Sequence, residues 1–269
     1  MAFEKVTETQ SYYDNLQDMS ETELLVGINN EDKKVAYAVE KAIPQIARLV
    51  EHIVPNMKRG GRIFYLGAGT SGRLGVLDAS EIPPTYGMPA TSVVGLIAGG
   101  DEALRRSLEG AEDDTEKGWE ELQRYRVSPL DTVVGVAASG TTPYVAGALE
   151  KCRANGIFTA SISCNPDSPV AAVSDIAIEA VTGPEFVTGS TRMKAGTAQK
   201  MILNMITTAV MIKIGRVKGN RMINMQLTSE KLIERGTRMI IDETGMEYDT
   251  ARRLLLTYGS VGAALDSLA

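Results

Sequence analysis

The chain has 269 residues, 43% of them hydrophobic and 23% charged, with a net charge of −6 at neutral pH. That suffices for one large α/β domain with an appendage, or two small domains, and the acidic balance, with no run of Lys or Arg and no basic stripe, argues against nucleic acid as a partner. The most apolar helical stretch, 201–214, is broken by Asn204, Thr207, Thr208 and Lys213 and is too short for a bilayer, so no membrane association is expected.

From the N-terminus, "MAFEKVTETQSYYDN" is polar and charged, unlike a secretory leader. Residues 1–30 read as an irregular arm with a short helical stretch at 20–28. Val35, Val39, Ala42, Ile43, Ile46, Val50 and Ile53 recur at helical spacing and predict a helix over 31–57. "RIFYLG" (62–67) predicts a strand ending in a glycine loop, and "TSVVGLIA" (91–98) a second strand. A charged helical stretch follows over 101–124. "DTVVGVAAS" (131–139) predicts a third strand, and "TPYVAGALEKCRAN" a helix stopped by Gly156. "IFTASISC" (157–164) and "SDIAIEAV" (174–181) predict the fourth and fifth strands.

Strands that are apolar nearly throughout, separated by helix-length segments, predict a parallel sheet of about five strands with helices on both faces, a three-layer α/β sandwich. The stretch 191–214 is apolar on most sides, as a helix buried centrally or at an oligomer interface would be. Beyond "GRVKGN" the chain predicts two or three short helices. The domain reading is an arm (1–30), the sheet domain (31–224) and a C-terminal helical region (225–269). Cys152 and Cys164 lie far apart without a CxxC and read as reduced core thiols, which suits the cytoplasm. The single histidine, His52, excludes a multi-histidine metal site, leaving only a carboxylate one open, and reads as a structural or surface residue.

Chemistry concentrates at strand ends. Gly67-x-Gly69-x-x-Gly72 opens a helix and encloses Thr70 and Ser71. Its amides and the helix N-terminus favour an anion. A dinucleotide needs an acid at the end of the second strand to hold a ribose, and that strand runs into Ala98, Gly99 and Gly100 with no acid before Asp101. No GK[ST] follows, so it is not a Walker loop. A phosphate site, a dinucleotide site and a structural turn remain the three readings of this loop alone. The third strand ends in Ser139, Gly140, Thr141 and Thr142 and again opens a helix. Two hydroxyl-rich loops at equivalent strand ends favour a phosphomonoester, although Ser and Thr also cap helices for structural reasons. Glu81 stands beside Ile82 and two prolines, where partial burial and a raised pKa are expected. Glu112, with Glu109, Asp113 and Glu116, reads from spacing alone as part of a solvated acidic helix face. Glu185 lies in a loop after the fifth strand, and Ser190, Thr191, Arg192 and Lys194 open the apolar helix, a string that helix capping alone does not explain.

"LGAGTSGRLGVLDASEIPPTYG", "EGAEDD", "ASGTTPYVAGALE" and "TGPEFVTGSTRMKAGTAQKMILNM" resemble the motifs of the N-acetylmuramic acid 6-phosphate etherases, a family of the sugar isomerase (SIS) fold superfamily related to the glucokinase regulatory protein. The resemblance runs through nearly the whole chain, and GSTRMKAGTAQK is its most specific part. The N-terminal segment is less similar: after the family's TE comes a basic and polar run, where this chain has Thr9, Gln10, Ser11 and Tyr12. The C-terminal region is also somewhat shorter than the family's.

The resemblance implies an SIS-type fold and cleavage of the lactyl ether of N-acetylmuramic acid 6-phosphate with water, giving N-acetylglucosamine 6-phosphate and D-lactate. It implies elimination and re-addition on the open-chain aldehyde, with no metal or redox cofactor. The family's carboxylate pair falls on Glu81, the acid that protonates the departing lactate, and Glu112, the base at C2. Thr70, Ser71, Ser139, Thr141, Glu185, Ser190 and Thr191 are the substrate-binding candidates. A homodimer is expected, built on the apolar 191–214 helix and with a site that the neighbouring subunit completes. The alternatives are a non-catalytic sugar-phosphate sensor of the regulatory-protein type and an aldose–ketose isomerase on the same fold. The group that opens the pyranose ring stays unassigned.

Overall fold

The computed structural model describes residues 3–268. Residues 3–19 form an irregular strap with two short 3-10 turns, Val6–Glu8 and Leu16–Asp18. Helix α1 then runs over Glu21–Lys41, opened by a capping box in which Ser20 and Glu23 satisfy each other's backbone amides. The helical stretch expected at 20–28 and the first part of the helix expected at 31–57 are therefore one element. The break comes later, at Ala42, before helix α2 (Ile43–Lys58). Pro44 explains it, because proline has no N–H for the preceding turn and its ring clashes with the carbonyl four residues back.

Five strands follow: β1 Ile63–Gly67, β2 Val93–Ile97, β3 Thr132–Val136, β4 Phe158–Ser163 and β5 Ile176–Glu179. All pair in parallel, in the order β2-β1-β3-β4-β5. Helix α3 (Gly69–Tyr86) joins β1 to β2. The charged stretch expected as one helix over 101–124 is instead two short helices, α4 Asp101–Arg105 and α5 Lys117–Arg124, joined by an extended loop. Gly110 at φ +74° turns the chain there, and Asp114 accepts the amides of Glu116 and Lys117 to start α5. Glu112 thus lies on a loop rather than on a helix face.

Helix α6 (Pro143–Ala154) joins β3 to β4, and the single turn α7 (Pro169–Ala172) joins β4 to β5. Helix α8 (Lys194–Lys213) follows a loop. Helices α1, α2, α3 and α8 cover one face of the sheet over a core that includes Val39, Leu49, Ile53, Tyr65, Val134, Ile162, Ile202 and Ile206. Helices α5, α6 and α7 cover the other, over Phe64, Leu66, Leu122, Val133, Val145, Leu149 and Cys152. This is the three-layer sandwich expected.

The "GRVKGN" stretch forms a two-residue hairpin, β6 Val217–Lys218 with β7 Arg221–Met222. Helices α9 (Glu230–Thr244), α10 (Tyr248–Tyr258) and α11 (Val261–Asp266) then close a separate small core of Ile240, Ala251, Leu255, Val261 and Ala264. No described helix is long and apolar enough to cross a membrane.

Candidate active site

The strand order reverses at β1: the chain leaves it first toward β2 and then returns to β3 on the other side. In an open α/β sheet the carboxyl ends of the two strands at such a switch point flank a crevice. Here that crevice is a cavity of about 510 Å³. Ala68, Gly69, Thr70 and Ser71 after β1 line one side, and Ala138, Ser139, Thr141, Thr142 and Pro143 after β3 the other. Glu112 and Asp113, Thr191, and Lys5 and Glu8 of the N-terminal strap complete the lining.

Two glycines of the first loop are dictated by geometry. Gly69 has φ +53°, in the left-handed region that side chains disfavour, and a Cβ at Gly72 would lie 2.6 Å from Ile97 Cγ1 and 2.7 Å from the carbonyl oxygen of Gly67. The loop is thus held tight against β2, and helices α3 and α6 both begin at the cavity. Both helix dipoles point their positive ends at the cavity, but only α3 offers free first amides: α6 begins at Pro143, and the Tyr144 amide donates to the Glu112 carbonyl at 2.9 Å.

The hydroxyls are pre-arranged. Ser139 Oγ and Thr141 Oγ1 are 3.1 Å apart, and the amide of Thr141 donates to Ser139 Oγ. Ser71 is buried, with Oγ 2.9 Å from Gln199 Oε1 on α8, while the buried Gln199 Nε2 has no partner among the described residues. Turning that amide over gives Nε2 to Ser71 Oγ and frees the Ser71 proton for a ligand, with Oε1 then in the unpartnered position. Thr70 packs its methyl against α8, 3.3 Å from where a Cβ on Gly196 would lie.

The remaining candidates divide. Thr191 lines the cavity, whereas Ser190 and Glu185 do not. Glu185 is buried and accepts the amides of Lys194 and Ala195, both at 2.9 Å, so its carboxylate caps α8. Burial pushes its pKa up, against those amides and the Lys194 charge, which favour the ionised form. Lys194 is buried too, and its Nζ lies 2.6 Å from Glu31 Oε2 on α1. Burial would raise the Glu31 pKa, but hydrogen bonds from Lys194 and Lys34 outweigh it and hold the carboxyl below its ordinary range. This part of the TRMK string is an ionic knot under α8.

Glu112 and Glu81 are not brought together within one chain. Glu81 is exposed, contrary to the burial its neighbours suggest, because Ile82 turns into the core and Glu81 turns out. It sits twelve residues after Gly69 on α3, about 18 Å along the helix. There it lines another hollow with Leu74, Leu77, Asp78, Lys200, Leu203 and Asn204. Asp78 is buried there, and burial raises its pKa although Thr207 and Asn204 donate to it.

A second cavity of about 290 Å³ adjoins the first and shares Ala68, Gly69 and Glu112 with it, so Glu112 stands between two chambers. His52 is far from both. It stacks on Phe158 at 3.5 Å between centroids, at the end of β4 away from the cavity. Among the described residues no group of three or more His, Cys, Asp or Glu is arranged to hold a metal. Lys5 and Glu8 went unnoticed in the sequence, where they look like any charged N-terminal residues.

Fold and site together define an SIS-type α/β protein with a hydroxyl-lined cavity at the switch point. The chain matches the SIS domain family over residues 120–209 and the glucokinase regulatory protein N-terminal SIS domain over 45–153. A phosphoheptose isomerase from Neisseria gonorrhoeae has the same fold, with a TM-score of 0.54 and 14% identity over 71% of this chain and 98% of its own. A protein from Escherichia coli gives a TM-score of 0.51 and 18% identity over 72% of this chain and 93% of its own.

The chain belongs to the N-acetylmuramic acid 6-phosphate etherase family. A Bacteroides fragilis etherase of that name is 64% identical over 99% of this chain and 95% of its own. One from Porphyromonas gingivalis is 63% identical over 99% and 97%, and one from Symbiobacterium thermophilum 53% over 94% and 84%.

Proposed function

We propose that this chain is a carbon–oxygen lyase that cleaves the D-lactyl ether of N-acetylmuramic acid 6-phosphate, with the switch-point cavity as its active site. The observation that carries this reading is the cavity itself: two helix N-termini and Ser71, Ser139 and Thr141 around one space, with Glu112 in the wall. The likeness to named etherases over nearly its whole length supplies the substrate.

The 6-phosphate lies between the two loops, Thr70 and Thr191 beside it. In the open-chain sugar the aldehyde acidifies the C2 proton, which Glu112 removes. The electron pair expels the C3 oxygen, which an acid must protonate as D-lactate departs. Water then adds at C3 of the conjugated alkene, and the proton returns to C2.

The acid is Glu81, and it comes from a second copy. Glu81 lies outside its own chain's phosphate cavity, on a face where Leu77 is also exposed, so a homodimer in which the partner subunit's Glu81 reaches Glu112 unites the pair. Cys152 and Cys164 are both free and buried, their pKa values pushed up to about 12 by burial, which suits a cytoplasmic protein.

Lactate release and C2 deuterium exchange test this reading. Glu112→Gln loses both, by about 10²–10⁴-fold, whereas Glu81→Gln loses release and keeps exchange. Mixing the two inactive variants, with subunits allowed to exchange, restores release, because a mixed dimer carries one intact composite site. Near-normal release in both variants would remove the elimination from these residues, and mixed dimers that stay inactive would keep Glu81 from acting across the interface.

A further inference from the structure

The reaction proposed above needs an open-chain aldehyde, yet a 6-phosphosugar of this type is held almost wholly as a ring. Opening the ring moves one proton from O1 to O5, and a protein group must carry it. His52 stands at the opposite end of β4 from the cavity. Among the cavity's lining residues only Lys5, Glu8, Glu112 and Asp113 carry groups that exchange protons readily. Glu112 is committed to C2, and Asp113 follows it on the same loop.

Glu8 comes from the other side. Its strap is tied to the phosphate loop by a buried clasp: the amide of Thr7 donates to Asn165 Oδ1 at 3.0 Å, and Asn165 Nδ2 lies 3.0 Å from Thr7 Oγ1. The same Nδ2 is also within hydrogen-bond distance of the carbonyls of Ala138 and Ser139, at 3.2 and 3.1 Å. Thr7 and Asn165 are both fully buried. Ser11 fixes the strap again, donating from Oγ to the Phe186 carbonyl and accepting nothing from the cavity. Glu8 Oε2 lies 3.0 Å from where a Cβ on Gly189 would be, on the α8 side of the sheet, while the peptide of Glu112 is bonded to Tyr144 of α6 on the other. Among the described residues the Glu8 carboxylate has neither an ion-pair nor a hydrogen-bond partner, so it is available to a ligand.

Substrate geometry decides which edge of the sugar it meets. C2, at Glu112, has C1 and C3 as its neighbours. With the bulky C3 substituent placed in the second chamber, which opens beside Glu112, the sugar takes one orientation. That turns the O1–C1–O5 edge toward the strap.

We propose that Glu8 opens the sugar ring. Its carboxylate accepts the proton from O1 as the C1–O1 double bond forms. The C1–O5 bond breaks with its electron pair on O5, and the same carboxyl group delivers the proton to O5. The two oxygens of a carboxylate span one carbon, as O1 and O5 do, so a single group can bridge both and is regenerated unchanged. The clasp of Thr7 on Asn165 is a positioning device for it, linking the strap to the loop that holds the phosphate.

This inference rests on the etherase reading, and anomer exchange separates the two. N-acetylglucosamine 6-phosphate has no lactyl group, and magnetisation transfer between its α and β anomers reports ring opening alone. Wild type accelerates that exchange, and Glu112→Gln still does although it no longer exchanges the C2 proton. Glu8→Gln loses the acceleration by about 10²-fold or more, and its lactate release and C2 exchange fall together. Thr7→Val, which keeps Glu8 but loses one bond of the clasp, loses part of the acceleration and keeps the dependence on the carboxylate. Wild-type anomer exchange in Glu8→Gln overturns the assignment, as does loss in Asp113→Asn with Glu8→Gln intact. A wild-type enzyme that releases lactate without accelerating anomer exchange overturns ring opening by any residue and leaves the etherase reading standing.

Discussion

Two regions draw on the same side chains and use them oppositely. At the switch point, carboxylates and hydroxyls of Glu8, Glu112, Ser139 and Thr141 face an open cavity. Beneath α8, Glu31, Glu185 and Lys194 are buried and satisfy one another and the first amides of that helix. Groups of the first kind keep their hydrogen-bonding capacity for a ligand. Those of the second have spent it, because a buried charge without a partner costs several kcal/mol. Residue type therefore does not separate site from scaffold here. What separates them is whether the polar group opens on the cavity, as Ser139 and Thr141 do despite the bond between them, or is buried with its bonds used inside the protein.

The largest effect that tests this contrast comes from the knot. Glu31→Gln strands the Lys194 ammonium with only the Glu185 carboxylate near it, and about 3–5 kcal/mol of unfolding free energy is lost in urea titrations at pH 7. Because the folded-state pKa of Glu31 is lowered, its contribution is full above the ordinary glutamate value of about 4.3 and fades as pH falls through the folded value. The gap between wild type and variant therefore closes on acidification. A variant of unchanged stability and damaged catalysis would move the knot into the active site.

Glu185→Gln sharpens the same point at smaller scale. An amide has one acceptor oxygen for two N–H groups, so stability drops by about 1.5–3 kcal/mol while the KM for substrate stays put. A raised KM with unchanged stability would return Glu185 to the ligand.

The smallest effect belongs to the cavity. Ser139→Ala weakens substrate binding about tenfold, or about 1.4 kcal/mol, with little change in stability, as read by calorimetry with the 6-phosphate and with the unphosphorylated sugar. Ser71→Ala loses similar affinity and also some stability, since it leaves Gln199 without a partner. Equal binding of both sugars by wild type would end the phosphate assignment.

Much of the fold was legible because it depends on local pattern. Five apolar strands separated by helix-length segments define a parallel sheet, and the glycine and hydroxyl loops mark its ligand end, whatever packs around them. Proline placement and a glycine turn, Pro44 and Gly110, corrected the helix boundaries, and both were in the sequence to be weighed. The motif resemblance brought the family with it.

What only the tertiary structure decided concerns distance and partnership. The sequence sets Glu81 nine residues after Gly72, but only the straight run of α3 carries it away from its own chain's cavity. Glu185 and Lys194 read as part of the site beside Thr191 until α1 delivers Glu31 against Lys194, 163 residues earlier in the chain. Lys5 and Glu8 look like solvated terminal charges until Asn165 binds Thr7 across 158 residues. In each case the deciding contact joins residues remote in sequence, and one-dimensional spacing carries no information about which remote polar atoms meet. Periodicity determined the layers, and burial and long-range hydrogen bonds decided which charges are left facing the cavity.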